Sequence, residues 1–267
     1  MDDFTFGVFA DVQYDEREPA MNRYYRNSPG KVHSYLSKFS EEGVQMCVHL
    51  GDLVDAPDDE ERGERCAERM MELIRETKIP CVFVPGNHDT GSVSRDFLAQ
   101  LWGLPADRFY RSFNMGNLHF VVLDSNYDAN GIPYTPRTHQ WDASFLGARQ
   151  LAWLDKDLQA VPEYVMTVVL VHALLDDLED PHVIRDAAKA RAILEKRRGT
   201  VLVLQGHRHC GGESETNGIR YCTLKATVEG PTDTCFWIIH STGSSLRAEI
   251  HSGTGETVRS FSLCSRP

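Results

Sequence analysis

The 267-residue sequence has no CxxC pair, no long apolar run, no excess of positive charge and no internal repeat. Each absence removes a class of protein. The seven cysteines, at positions 47, 66, 81, 210, 222, 235 and 264, are odd in number and widely spread. That is the usage of reduced intracellular thiols, not of a disulfide framework. No stretch approaches the roughly 18 consecutive apolar residues that span a bilayer. The start lacks a basic region, an apolar core and a cleavage site, so no secretory signal is read and a cytoplasmic location is expected. Lysine and arginine total 28 against 39 aspartate and glutamate, a net charge of −11. An acidic field argues against nucleic acid or an anionic membrane as partner. It leaves room for a small anionic substrate, because a bound metal can outweigh the global field locally. With 41% hydrophobic residues the chain can bury a large core, and residues 1–267 are expected to form one domain. Nothing in the sequence specifies an oligomeric state.

Short apolar runs alternate with helical patterns. Strands are expected at 5–10, 45–50, 81–84, 118–123, 165–171 and 201–205. Helices are expected at 34–42, 60–77, 147–159 and 186–196; Met70, Leu73 and Ile74 line one side of the second, and Leu151, Leu154 and Leu158 recur at helical spacing in the third. Beyond Gly212 the runs 219–228, 236–240, 246–251 and 258–263 read as successive strands that finish a second sheet. The expected fold is α/β, a two-sheet β-sandwich flanked by helices. Segments 90–108 and 125–144 read as loops or short helices bordering a site.

Five of the first six strands stop at polar residues able to bind metal. The first runs into Asp11 and Gln13, the second into Gly51-Asp52, and the third into Gly86-Asn87-His88-Asp89. The fifth ends at His172, and the sixth at Gly206-His207-Arg208-His209. In open α/β sheets, functional groups collect outside the carboxyl ends of the strands. Carboxylate, amide and imidazole donors together suit manganese, iron, zinc or similar ions. The donors are too many for one ion, so a pair fits better. Two such ions can activate water and hold the oxygens of an in-line phosphoryl displacement. Taken singly, a Gly-Asp after a strand is usually a turn, and a strand-ending histidine is usually core. The joint occurrence carries the reading.

The order D-x-Q, GD-x-x-D, GNHD, strand-ending His and GH-x-H resembles the calcineurin-like metallophosphoesterase superfamily. Gln13 in place of the usual histidine, the Arg23-Tyr24-Tyr25-Arg26-Asn27-Ser28 segment and the glycines after His209 resemble one branch, the manganese-dependent ADP-ribose/CDP-alcohol diphosphatases. The resemblance implies that Asp11, Gln13 and His209 hold one divalent ion. It implies that Asn87, His172 and His207 hold a second, and that Asp52 bridges them. The ions implied are manganese first, with magnesium, iron or zinc as alternatives. A hydroxide shared by the ions would attack phosphorus. His88 would serve the leaving oxygen as acid or charge stabiliser, oriented by Asp55. Independently, an imidazolium at a leaving group needs such a carboxylate partner.

The activity implied is hydrolysis of a phosphoanhydride in a nucleotide diphosphate compound such as ADP-ribose or a CDP-alcohol. A cyclic nucleotide phosphodiesterase, or another phosphodiesterase of the same superfamily, is the alternative. A third reading, a protein-binding scaffold without catalysis, would be expected to have lost one of these donors or His88. Arg23, Arg26 and Asn126 are candidate contacts for the phosphorylated, nucleotide-derived small molecule; their bland reading is a solvated face or an ordinary loop. Trp153 reads as helix packing rather than a base platform. His33, His49, His119, His139, His182, His240 and His251 read as structural or surface residues. An amide oxygen is a harder, neutral ligand than imidazole, so Gln13 should favour manganese or magnesium over zinc. Gln13→His is expected to shift the metal preference in activity assays toward zinc; an unchanged preference rejects this role for the amide.

Overall fold

A computed structural model describes residues 3–232, 235–243, 245–252 and 255–264. In the first six-stranded sheet β1 (Phe4–Phe9), β2 (Met46–His49) and β3 (Cys81–Phe83) run parallel, and β10 (Cys235–Thr242), β11 (Ser245–Ser252) and β12 (Thr257–Cys264) continue it antiparallel beyond β1. The second sheet holds β4 (Arg111–Met115), β5 (Leu118–Val122), β6 (Met166–Leu170), β7 (Val201–Gln205), β9 (Ile219–Thr223) and β8 (Gly212–Thr216), in that spatial order. Phe6 and Val8 of β1 meet Phe120, Leu170, Leu204 and Trp237 in the core between the sheets. α1 (Ser28–Glu41) and α2 (Glu60–Glu76) cover the first sheet, and α5 (Gly147–Ala160) and α6 (Ala187–Glu195) cover the second. Two short helices, α3 (Asn87–Ser92) and α4 (Arg95–Trp102), follow β3. The two-sheet sandwich flanked by helices is the architecture expected.

Local chemistry explains these elements. The parallel strands β2, β6 and β7 are buried throughout, as their unbroken apolar runs require when both faces are covered. In α2, Cys66, Ala67, Met70, Met71 and Ile74 form the buried stripe. The Asp59 carboxylate caps that helix by accepting the Arg62 amide at 2.9 Å, and Glu60 and Glu61 occupy its first turn. α1 begins six residues before the expected start, at Ser28, with proline in its first turn.

The C-terminal strands depart from expectation. Only β9, with the unanticipated β8, joins the second sheet; β10, β11 and β12 complete the first. The reason lies in β10, which is apolar on both faces. Trp237 and Ile239 enter the inter-sheet core, whereas Phe236 and Ile238 pack under α1. Such a strand needs a central position, and β1 provides it. β4 and β8 escape sequence reading because they are partly exposed edge strands with polar composition.

Register sets the height at which the chain leaves each strand. Phe9 pairs with His49 and His49 with Phe83, so three strands of the first sheet end level. Leu170 pairs with Leu204 in the second. No helix among the described residues is long and apolar enough to cross a membrane. Cys47, Cys66, Cys81, Cys210, Cys222 and Cys235 are free.

His49 is a core residue, fully buried between the Phe9 and Phe83 rings, with no hydrogen-bond partner on either nitrogen. Burial pushes its pKa down to about 3. The unfolded chain therefore takes up this proton first, and the contribution to stability is complete above the unfolded value near 6.5 and is lost as pH falls toward 3. His49→Leu should flatten the loss of stability between pH 6.5 and 4 by about 1.4 kcal/mol per pH unit. Denaturant titrations of both chains across that range test this; parallel pH profiles reject it.

Candidate metal centre

The loops leaving β1, β2, β3, β6 and β7 meet at one end of the sandwich, and their backbones are locked together in unusual conformations. Asp11, Gln13, Asp52 and His207 have φ of 51°, 44°, 60° and 67°. Non-glycine residues in this left-handed region cost on the order of 1–3 kcal/mol each and persist only when the surroundings over-determine them. Here they do. Asp11 N–H donates to Gly51 O at 3.1 Å, Gln13 N–H to Asp52 O at 2.8 Å, and His207 N–H to the Asp11 carboxylate at 3.1 Å.

Asp89 ties the turns from below. Its buried carboxylate accepts the amides of Gly86 and Asp52 at 2.9 Å, Leu53 at 2.7 Å and Val54 at 3.3 Å. Burial, with the neighbouring Asp52 charge, pushes its pKa up to about 7. A Cβ at Gly86 would fall on the Asp52 amide and carboxylate, and one at Gly51, where φ is 97°, would lie 2.5 Å from His172 Nδ1. These two glycines permit the close approach that brings the carboxylate and the imidazole together.

The seven expected donors converge. Donor atoms of Asp52, His172 and His207 all lie within 4.8 Å of one another. Asp52 Oδ2 sits 3.2 Å from His172 Nε2 and also 3.2 Å from Gln13 Nε2, so one carboxylate oxygen faces both halves of the set. In one half, Asn87 Oδ1 is 3.0 Å from His172 Nε2. In the other, His209 Nε2 is 3.1 Å from Gln13 Nε2 and 3.7 Å from Asp11 Oδ1.

Three observations test whether a metal pair fits. Each imidazole uses its outer nitrogen on a protein oxygen that can only accept: His172 Nδ1–H on Leu50 O at 2.8 Å, His207 Nε2–H on Trp141 O at 2.9 Å, and His209 Nδ1–H on Glu229 Oε1 at 2.7 Å. This fixes the tautomer and leaves each remaining nitrogen free to bind a cation, the usual arrangement of metal-ligating histidines. Secondly, Asp11 and Asp52 are fully buried, and neither has a lysine or arginine ion-pair partner among the described residues. Burial raises the Asp11 pKa, whereas the His172 and His88 charges outweigh burial and hold Asp52 well below the usual carboxylate range. Burial alone would lower the His172 pKa; the Asp52 charge overrides it and brings it to about 9. Buried anions of this kind call for a cation. Thirdly, Gln13 Oε1 and Asn87 Nδ2 are buried without partners. Turned over about its last bond, the Gln13 amide presents its oxygen to His209 and Asp52. The donor set fits two divalent ions.

His88 stands beside this set. Its Nδ1 bonds Asp55 Oδ1 at 2.8 Å, and its Nε2 lies 4.0 Å from Asp52 Oδ2. Burial opposes the charged ring, but the Asp52 and Asp55 carboxylates override it and raise the pKa. Asp55 in turn takes Arg17, whose guanidinium also stacks 4.0 Å over the Tyr25 ring.

Each expected substrate contact has partners within the protein. Arg23 reaches Glu229 at 3.9 Å, and Arg26 is exposed and tied to Glu16 O and Glu18. Asn126 is buried, with its amide nitrogen on Pro85 O at 2.9 Å and Asp124 Oδ1 at 3.2 Å. It braces the loop before Asn87. Trp153 packs on Tyr110 at 4.9 Å, as helix packing predicts.

Sequence reasoning missed Asp89, Arg17, Glu229 and Trp141 as neighbours of the centre. Asp89 alone carried a signal, because it closes the Gly86–Asp89 run at the third position of its own helix. His182, read as structural or surface, instead places its ring 4.8 Å from that of His207. His139 lies under the electrostatic influence of His88, and its ring covers Gly91.

A phosphoesterase of the two-metal type needs such a set of donors with an acid beside it. The sequence profile of the calcineurin-like phosphoesterases matches residues 4–211, and the chain belongs to that family. It is a metallophosphoesterase, a hydrolase that uses divalent metal. Its relatives include the manganese-dependent ADP-ribose/CDP-alcohol diphosphatase of Oryza sativa, 25% identical over 86% of this chain and 85% of that protein. The Danio rerio protein of the same name is 26% identical over 85% of this chain and 88% of that one. Among solved structures, a dimetal phosphatase from Danio rerio superposes with a TM-score of 0.82 at 21% identity, covering 98% of both chains. A purple acid phosphatase from yellow lupin superposes with a TM-score of 0.71 at 15% identity, over 98% of this chain and 54% of that one. Both share the fold.

Glu229 makes the hydrogen bond that orients His209, and its other oxygen takes Asn22 Nδ2 at 2.9 Å. Glu229→Gln should weaken manganese binding by about 10- to 100-fold, as loss of an orienting carboxylate does elsewhere. Calorimetric titration of chelator-treated protein measures it; unchanged affinity at both sites rejects the role.

Proposed function

We propose that the chain hydrolyses the phosphoanhydride of nucleotide diphosphate compounds, of the ADP-ribose or CDP-alcohol kind, with two manganese ions. The observation that carries this reading is the division of the donors about Asp52, with each of three imidazoles anchored at its outer nitrogen. Asp11, Gln13 and His209 would hold one ion, Asn87, His172 and His207 the other, and Asp52 both. When bound, the two ions supply an activated water and neutralise charge on the phosphoryl oxygens. The names of the rice and zebrafish relatives, and Gln13 as an oxygen donor, support manganese and the nucleotide diphosphate class.

The protein's own groups supply the proton. Asp55 fixes Nδ1 of His88 and so directs Nε2–H toward the donor set. From there Nε2 can deliver its proton to the departing phosphate oxygen. His88 first and then Arg17 hold the Asp55 carboxyl below its usual range against burial, so the acid is supported by a chain of two partners.

Metal-stripped protein reloaded with manganese, magnesium or zinc should cleave ADP-ribose and CDP-choline best with manganese and turn over cyclic AMP poorly. Turnover confined to cyclic AMP or an aryl phosphodiester would sink the diphosphatase reading. His88→Ala should keep both metals and lose about 10²- to 10⁴-fold in turnover. Loss of metal in that variant contradicts its assignment as an acid.

A further inference from the structure

We infer that the Trp141 indole is the shelf on which the base of a nucleotide substrate stacks. The inference rests on the diphosphatase reading and extends it to a residue outside the metal and proton-transfer sets. Trp141 is a large aromatic side chain that remains 47% exposed. Its ring centroid lies 6.4 Å from His207 and 5.3 Å from His182, while His182 lies 4.8 Å from His207. Three rings thus step outward from the candidate metal centre to solvent.

The shelf is held in place. The Trp141 carbonyl accepts His207 Nε2–H at 2.9 Å, so the indole's own backbone is fastened to the centre. His182 is fixed through Nδ1 to Asp180 at 2.7 Å and by its backbone amide to the same carboxylate at 2.8 Å. A preorganised aromatic face loses little freedom when a base lies on it. Other large exposed apolar side chains, such as Tyr164 and Met115, have no described ring contact with the donor set.

The occupant follows from shape and charge. Trp141 and His182 meet at 49°, which makes an open shelf with one wall. A quaternary amine prefers an aromatic cage or an uncompensated carboxylate. The nearby Asp180 is already committed, to His182 and to Arg208 at 3.3 Å. A planar base needs only the exposed π-face, which tolerates either a purine or a pyrimidine.

The test uses manganese-loaded protein and three chains: wild type, Trp141→Ala and Trp141→Phe. Both substitutions keep the backbone carbonyl that holds His207. Inhibition constants of AMP, ribose 5-phosphate and phosphocholine are measured against ADP-ribose hydrolysis. Trp141→Ala should weaken AMP about 10-fold and leave ribose 5-phosphate and phosphocholine unchanged. Trp141→Phe should restore AMP to within about threefold of wild type, because a ring is back in place. AMP should quench tryptophan fluorescence in wild type and lose that quench in Trp141→Phe despite binding. Equal weakening of AMP and ribose 5-phosphate, weakening of phosphocholine alone, or no change in AMP overturns the shelf. If wild type fails to cleave ADP-ribose, the diphosphatase reading falls instead; the AMP quench, which needs no turnover, still decides for or against Trp141.

Discussion

Two carboxylates, Asp11 and Asp52, are buried completely at the junction of two sheets, without a lysine or arginine counter-charge among the described residues. That buried negative charge, met within the protein only by imidazoles, is the constraint on which the rest of the structure depends. Left alone, it would push carboxylates toward protonation or open the site to water. The protein instead surrounds it with imidazoles, backbone amides and one second carboxylate tier, Asp89. The result costs folding energy in backbone strain and in buried charge. It makes sense as a cradle that is completed by cations.

The fold supplies what such a cradle needs. Level strand ends bring Asp11, Asp52 and Asn87 out of the first sheet at one height, and His172 and His207 out of the second. The left-handed turns at Asp11, Gln13, Asp52 and His207 then swing the side chains across the gap. Their outer partners come from elsewhere: Leu50 from a strand end, Trp141 from an irregular loop and Glu229 from the stretch before β10. The site is thus a meeting of two sheets, with loops fixing the angle of each ring.

Legibility in the sequence followed the range of the interaction. The donors were readable because each belongs to a short motif whose position at a strand end is itself a local pattern. The core strands were readable from unbroken apolar runs. Asp89 was half-visible, since it caps its own helix but acts on residues 52–54. Glu229 and Trp141 were invisible: their partners lie 20 and 66 residues away, and no spacing marks them. The edge strands β4 and β8 lacked the alternation that reveals a half-buried strand. The sheet membership of β10 was not fixed by its composition alone, because a strand apolar on both faces suits the centre of either sheet. Arg26 and Asn126 stand near motifs; the first is tied to an acidic loop and the second braces Pro85, bonds that do not bear on contact with a ligand.

The pairing of β1 with β10 also sets an order of events as the chain is made. Thr5 and His240, bonded side chain to side chain across that pair, are 235 residues apart. Until β10 has been made, β1 can pair with β2 on one side only, and its other edge stays open. A sheet closed by contacts this distant in sequence is slow to form, and an open apolar edge is prone to the wrong partner. The strand that carries Asp11 and Gln13 to the centre is thus flanked on both sides only once residues 235–242 are available to pair with it.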